Sequence, residues 1–335
     1  MKKILILAGA LGFFSACSDQ AEDINTQNAL VDNFSQGELA YPTAQGDVVE
    51  AYFKGELVTL SYLNGQYVLG GDIIVPESQL TFVAPPEAVG AQTESVGRTS
   101  GRWANNTVYY TIASDLTNRA RVTDAIAHWE ANTNLKFIQR TTQADYITFR
   151  SGSGCSSSLG RVGGQQFINL ATGCSTGNTI HEIGHAVGLY HEHTRADRDN
   201  YVNVNFDNIQ SNAVYNFYTY EQLGYDGKDY TSTLDFGSVM MYGSYYFAVN
   251  SSVPTITRKD GSVFNVQRNG LSSADINGVE QMYPASGGES TVTYENGNWY
   301  TVEGLRVYRY YNTWWYYNGV QWREVVNING SWYYA

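Results

Sequence analysis

The sequence predicts an α+β fold, on three observations. Short apolar runs recur between glycine- and asparagine-rich breaks, as strands do. One segment, at 122–129, switches to three- and four-residue apolar steps, as a helix does. Tyr (27) and Gly (33) are abundant and Lys plus Arg few (20) among 335 residues, a composition of turns and strands more than of long helices.

The elements follow in chain order. Apolar runs at 56–63 and 66–75 flank Asn64 and Gly65, a hairpin signal. Pro85 and Pro86 then interrupt regular structure, and the polar, Gly-rich stretch 90–101 reads as a linker with a candidate cleavage site near Arg98. Residues 107–112 read as a strand. Val122, Ala125, Ile126 and Trp129 share one helix face. Strands are expected at 136–139, 146–150 and 160–170, and a helix from about 178 to 187. The stretch from there to Pro284 is of mixed character. Beyond a small-residue linker, 284–290, lie five of the seven Trp, punctuated by Asn-Gly pairs at 296, 318 and 329, a weak repeat of short hairpins.

A chain of this length holds two or three folding units. Its net charge of −12, with no long basic run, argues against nucleic acid or an anionic membrane surface as partner. Lys2 and Lys3 followed by the apolar stretch 4–14 read as an export signal too short to span a bilayer. Phe14-Ser15-Ala16-Cys17 resembles a bacterial lipobox, with Cys17 lipidated at the new N-terminus; ordinary signal cleavage is the alternative, because the pattern prefers Leu where Phe14 stands. The expected location is therefore the outer membrane or cell surface as a lipoprotein, or the medium after processing, with membrane contact only through the lipid. With Cys17 so used, Cys155 and Cys174 remain. In an exported chain a disulfide is expected over two free thiols.

Four of the five His lie between His181 and His193. His181 and His185, four residues apart, fall on one helix face and can share a metal, with Glu182 near enough to reach a water on it. Gly188 can adopt positive φ, stop the helix and bring His191 round as a third nitrogen ligand. Three imidazoles leave one position open, the pattern of a catalytic zinc site holding one Zn²⁺ per chain. The plainer alternative is a polar surface helix with clustered His. The bare His-Glu-x-x-His arises by chance in roughly one chain in a hundred of this length, and Gly188 with His191 lowers that by several hundredfold.

The run 181–191 resembles the metzincin zinc signature, and 185–199, with Glu192 after the third His, resembles the astacin family. The family's later Ser-x-Met-x-Tyr motif has its counterpart in Ser238-Val239-Met240-Met241-Tyr242. The resemblance covers about 98–285. It implies a two-lobed zinc peptidase domain with a twisted sheet and an active-site helix, the substrate lying along an edge strand near 161–170. It implies Met240 as the apolar floor under the metal and Tyr242 as a switchable group that stabilises the oxyanion. It places a Cys155–Cys174 disulfide beside the cleft and makes Glu192 the buried carboxylate that receives the mature N-terminus. The family's second disulfide is missing here. Leu69-Gly70-Gly71-Asp72-Ile73 resembles the family's propeptide switch, in which Asp72 takes the water's place on the metal; a surface hairpin turn is the other reading.

The expected organisation is thus a signal at 1–17, a propeptide at 18–98, a catalytic domain at 99–285 and an aromatic β-hairpin module at 286–335. The expected activity is hydrolysis of internal peptide bonds in polypeptide substrates, with Glu182 as the base. The alternatives are a surface binding or adhesion protein on a protease scaffold, and a zinc hydrolase acting on another bond. The tail's aromatic rings either contact polysaccharide or fibrous protein, or fill the core of a small hairpin stack.

Overall fold

Period-two patterning sets the first strands of the structure, a computed structural model that describes residues 39–53, 56–83, 95–285, 299–302, 305–310, 313–319, 321–328 and 331–334. The export signal with Cys17, residues 90–94 and 286–290 of the two linkers and the Asn-Gly pairs at 296 and 329 lie outside the described residues. An antiparallel meander comes first: β1 (Asp47–Phe53), β2 (Glu56–Leu63), β3 (Gln66–Leu69), β4 (Ile73–Val75) and β5 (Leu80–Thr81). Asn64 and Gly65 take φ +49° and +79° and close the β2–β3 hairpin as the sequence predicts. The expected second run, 66–75, is instead two strands, because Gly70 and Gly71 (φ +59° and +85°) turn the chain between them.

After β6 (Ser95–Gly97) come β7 (Thr107–Ile112), α1 (Ala120–Asn132), β8 (Lys136–Gln139), β9 (Tyr146–Ser151), β10 (Cys155–Ser157), β11 (Gln165–Leu170) and α2 (Thr176–Val187). One sheet of ten strands results, in the order β5-β1-β2-β3-β4-β10-β11-β9-β7-β8. Strands β11, β9, β7 and β8 run parallel, and β10 is antiparallel to β11. The expected strand at 160–170 begins only at Gln165, since Gly160, Gly163 and Gly164 all hold positive φ. Nor is it an edge. It lies between β9 and β10; β10 ends the C-terminal half of the sheet, and β4 of the meander pairs with it in parallel through Ser157 and Ile73.

Two layers make the upper core. Val122, Ala125, Ile126 and Trp129 face the sheet from α1, as their spacing predicts, against Val108, Ile147, Phe149 and Ile168. Trp129 Nε1 donates to the carbonyl of Ile180 and ties α1 to α2. The lower lobe has little regular structure: short 3-10 turns, the β12 (Val202–Val204) and β13 (Ile256–Arg258) pair, and α3 (Ser273–Met282). Its own core gathers Val202, Phe217, Met241, Ile256 and Phe264. The mixed-character reading missed α3. Its N-terminus carries a capping box in which Ser272 and Asp275 satisfy each other's backbone amides.

A third core joins the meander to the rest. Phe53, Leu60, Leu69 and Ile73 pack with Leu159, Tyr190, Tyr215, Tyr220 and Leu223. Each fully buried aliphatic or phenyl side chain is worth about 1.5–3 kcal/mol. Arg98, expected as an exposed cleavage site, is 1 % exposed: Nη1 donates to Leu159 O and Nη2 to Ser100 Oγ. Its amide donates to Gly188 O, and Tyr190 N donates to Val96 O, so 96–98 already belong to the catalytic part.

Beyond the second linker, β14 (Trp299–Val302), β15 (Leu305–Tyr310), β16 (Thr313–Tyr317), β17 (Trp322–Ile328) and β18 (Ser331–Tyr334) form a separate antiparallel sheet. One face buries Val307 and Val325 beneath Tyr300, Trp314 and Trp332. The other groups Trp299, Tyr308, Tyr317 and Trp322, with Trp299 and Trp322 43 % and 46 % exposed. The sheet thus both fills a small core and presents rings outward.

Candidate active site

Helix α2 begins where Ser175 caps it: Ser175 Oγ accepts from the amide of Asn178, whose side chain accepts from the Ser175 amide. It ends at Gly188, with φ +109° and ψ +11°, whose amide donates back to Gly184 and His185 carbonyls. A left-handed residue there turns the chain sharply at little steric cost, and His191 comes round to face the helix. His181, His185 and His191 have ring centroids 4.7–5.3 Å apart and are all buried.

Their outer nitrogens are fixed first. His181 Nδ1 donates to Val239 O and His185 Nδ1 to Leu189 O, each at 2.8 Å. That tautomer leaves the Nε2 lone pairs pointing inward, the arrangement metal-binding imidazoles use. Into the space comes the carboxylate of Asp72 from the β3–β4 turn, 1 % exposed. It lies 3.3 Å from His181 Nε2, 3.5 Å from His185 Nε2 and 3.1 Å from His191 Nε2. One donor atom from each of these four residues falls within 4.8 Å of the others. Asp72 Oδ1 and His185 Nε2 are buried with no hydrogen-bond partner, and buried polar atoms without partners are rare unless an ion or water serves them. The donor set, three imidazole nitrogens and one carboxylate, suits Zn²⁺.

The electrostatics agree. Burial holds the His181 imidazole down to about 3 and His191 below its usual range, which favours the uncharged, metal-binding form of each ring. Burial raises the Asp72 carboxyl, but any proton shared with the surrounding rings, through charge interaction with His191 and His185 and hydrogen bonding from His181, outweighs it and holds the group well below the usual carboxylate range. Glu182 is fully buried on α2 beside His181. Burial pushes the Glu192 carboxyl well above its usual range, partly offset by the Asp235 amide it accepts at 2.9 Å.

Met240 packs under α2. A Cβ on Gly184 would come within 2.6 Å of the Met240 sulfur, so any side chain there would have to push the end of Met240 aside. Tyr242 lies 4.4 Å from the His191 ring, stacks on His193 at 4.0 Å, and donates its hydroxyl to Gly70 O. Cys155 and Cys174 are joined as a disulfide, linking β10 to the approach of α2.

The sequence reading missed Asp275. Its Oδ1 accepts from Ser238 Oγ at 2.6 Å and its Oδ2 from the Val239 amide at 2.9 Å, while Ser238 Oγ accepts from the Met240 amide. One α3 carboxylate thus sets the turn whose carbonyl orients His181. The Ser272-x-x-Asp275 capping box was the available signal. Among the expected residues, the structure brings Asp72, His181, Glu182, His185, His191, Met240 and Tyr242 together, with Glu192 one residue beyond His191. Cys17 lies outside the described residues.

Residues 95–284 match the model of the peptidase family described as Astacin. Flavastacin of Elizabethkingia meningoseptica is 32 % identical over 313 residues, covering 84 % of this chain and 64 % of that protein. Blastula protease 10 of Paracentrotus lividus is 38 % identical over 198 residues, 55 % of this chain and 32 % of that one. The chain therefore spans less than two thirds of the length of these relatives. Among solved structures, high choriolytic enzyme 1, a hatching enzyme zinc-protease from Oryzias latipes, superposes with a TM-score of 0.51 at 31 % identity, over 60 % of this chain and 100 % of that one. With its fold, its histidine cluster and a match over more than half its length, the chain belongs to the astacin family of peptidases.

Proposed function

We propose that the chain is an exported zinc endopeptidase made as a latent precursor. The observation that carries this reading is the convergence of three buried Nε2 atoms on one point that Asp72 also reaches. His181, His185 and His191 would hold the metal, and zinc, when bound, supplies a Lewis acid that acidifies water and polarises a carbonyl. Glu182 takes a proton from the attacking water and returns it to the leaving amine. Tyr242 donates to the oxyanion once its hydroxyl leaves Gly70 O. Met240 and Asp275 keep α2 and the turn at 238–242 in place. Polypeptides are the substrates.

In the precursor the meander belongs to a propeptide, and Asp72 occupies the position water needs. Both the burial of Asp72 and the Tyr242–Gly70 contact support this. The burial of Arg98 moves the proposed activating cut upstream of Ser95. Val96, Gly97, Leu189 and Glu192 line one cavity, which suits Glu192 as acceptor of the new N-terminus. The disulfide supports an oxidising compartment. Anchoring through Cys17 is proposed on the lipobox alone, and polymer contact through the tail on the exposed Trp299 and Trp322 face; deleting 287–335 should then weaken binding to insoluble polymers and spare cleavage of small peptides.

The deciding experiment is peptide hydrolysis by the purified chain before and after processing, with chelator and zinc add-back. Processed chain should cleave casein, lose activity with its metal and regain it with zinc. Asp72→Ala should make the unprocessed chain active. A processed, zinc-loaded chain that cuts no polypeptide overturns the proposal.

A further inference from the structure

We propose that the meander, once severed from the catalytic part, stays docked as a separate folded inhibitor, so that cutting the chain and releasing the enzyme are two events. The inference rests on the latency reading above and specifies how latency ends.

Three attachments support it, none needing the covalent link. First, the meander shares a core with the catalytic part. Phe53, Leu60, Leu69 and Ile73 are each at most 7 % exposed. The wall they meet, Leu159, Tyr190, Tyr215, Tyr220 and Leu223, is at most 8 % exposed. Removing the meander uncovers a contiguous tyrosine-rich apolar surface, the kind that recaptures a complementary partner. Second, polar contacts cross the seam. Ser157 N donates to Asp72 O at 3.0 Å, Gln79 Nε2 donates to Val162 O at 3.2 Å, and Ser61 and Tyr215 share a hydroxyl–hydroxyl bond. Third, Asp72 reaches the histidines. The meander also keeps its own shape through internal ladders: β1 and β2 pair over seven residues, β2 with β3 and β3 with β4 over three each.

The occupant of the wall is therefore the severed strands 39–83 themselves, rather than substrate or a second copy. Severed strands compete with any substrate that must lie along β10, because β4 occupies that edge. Activation would then require dilution, a competing surface, or a second cut within the meander.

The test places a unique site for a specific endoprotease within 84–94 of the full chain, in a Glu182→Gln background that prevents self-digestion. After complete cleavage the two pieces should co-elute one to one in gel filtration at micromolar concentration. In the parallel chain with Glu182 intact, activity after complete cleavage should stay below a tenth of its final value and rise on dilution. Separation of the pieces at micromolar concentration, or activity rising in step with the cut, overturns the inference. Leu60→Asp should abolish co-elution, and Leu223→Asp should do so from the other side of the core. Should either fail to fold, the dilution series on the otherwise unaltered cut chain still decides.

Asp72→Ala separates this inference from the switch. Cut Asp72→Ala chain should still co-elute, because the core holds the meander; its separation would show that the histidine site alone does so, and would overturn the inference. Unchanged latency of uncut Asp72→Ala would remove Asp72 from the switch while leaving the docking result to stand on its elution.

Discussion

In the catalytic half of the ten-stranded sheet, β11 pairs with β9 over six residues and β7 with β8 over four, and α1 and α2 pack on the ladder. In the N-terminal half the ladder is as regular, with seven pairs between β1 and β2. Where the halves meet, β4 and β10 share one pair. Apart from the Ser157 N to Asp72 O bond of that pair, the seam is held mainly by side chains: an apolar core and one carboxylate in the histidine site. Backbone ladders and side-chain seams differ in what parting them requires. A ladder strand cannot leave without stranding its amides and carbonyls, whereas a seam parts by solvating side chains. The two halves are thus one sheet by topology and two bodies by adhesion.

Four variants probe that contrast, the largest effect first. Glu182→Gln should lower kcat by about 10² to 10⁴-fold, measured on a fluorogenic peptide, with metal content unchanged; near-normal turnover would move the base elsewhere. Tyr242→Phe should lower kcat of the processed enzyme by about 10²-fold with little change in KM, the loss of one oxyanion donor. Because that hydroxyl also binds Gly70 O, the same variant should leak more activity before processing, so one substitution reads both sides of the seam.

Replacing both Cys155 and Cys174 by Ser opens a bridge spanning 19 residues. A loop of that size is worth about 3 kcal/mol, so Tm should fall by roughly 6–12 °C in a thermal melt. Since Cys155 begins β10, the severed meander should also dissociate faster; an unchanged melt would mean the bridge does not brace the edge. The smallest effect is expected from Ser175→Ala, which removes the cap of α2 for about 1 kcal/mol and should leave docking of the meander untouched, as seen by urea unfolding and gel filtration.

What could be read from the sequence was what depends on local spacing. His181 and His185 sit one helical turn apart, Gly188 stops the helix, and the four apolar residues of α1 fall on one face, all consequences of a 3.6-residue period. β7 and β8 have the expected ends. What depends on partners far along the chain was not legible. Cys155-Ser156-Ser157 has no apolar pattern, so β10 exists because β11 and the Asp72 turn flank it, and the edge was placed one strand too far along. Arg98 in a Gly-rich stretch reads as exposed; its burial follows from the Leu159 carbonyl and Ser100, with Asp226 3.8 Å from its Nε. Helix α3 has few apolar residues, and Asp275 acquires its role only when the 238–242 turn folds back onto it. The site's chemistry is local and its scaffolding is long-range.

The close fit between Gly184 and the sulfur of Met240 has a consequence for how this chain can vary. A methyl group is the smallest side chain available, and at position 184 it would already require the end of Met240 to move. The space between α2 and the turn behind it is filled by the Met240 side chain and not left open. Positions 184 and 240 are therefore coupled: a larger residue at 184 calls for a smaller or rearranged side chain at 240 if the helix and the turn are to stay in contact.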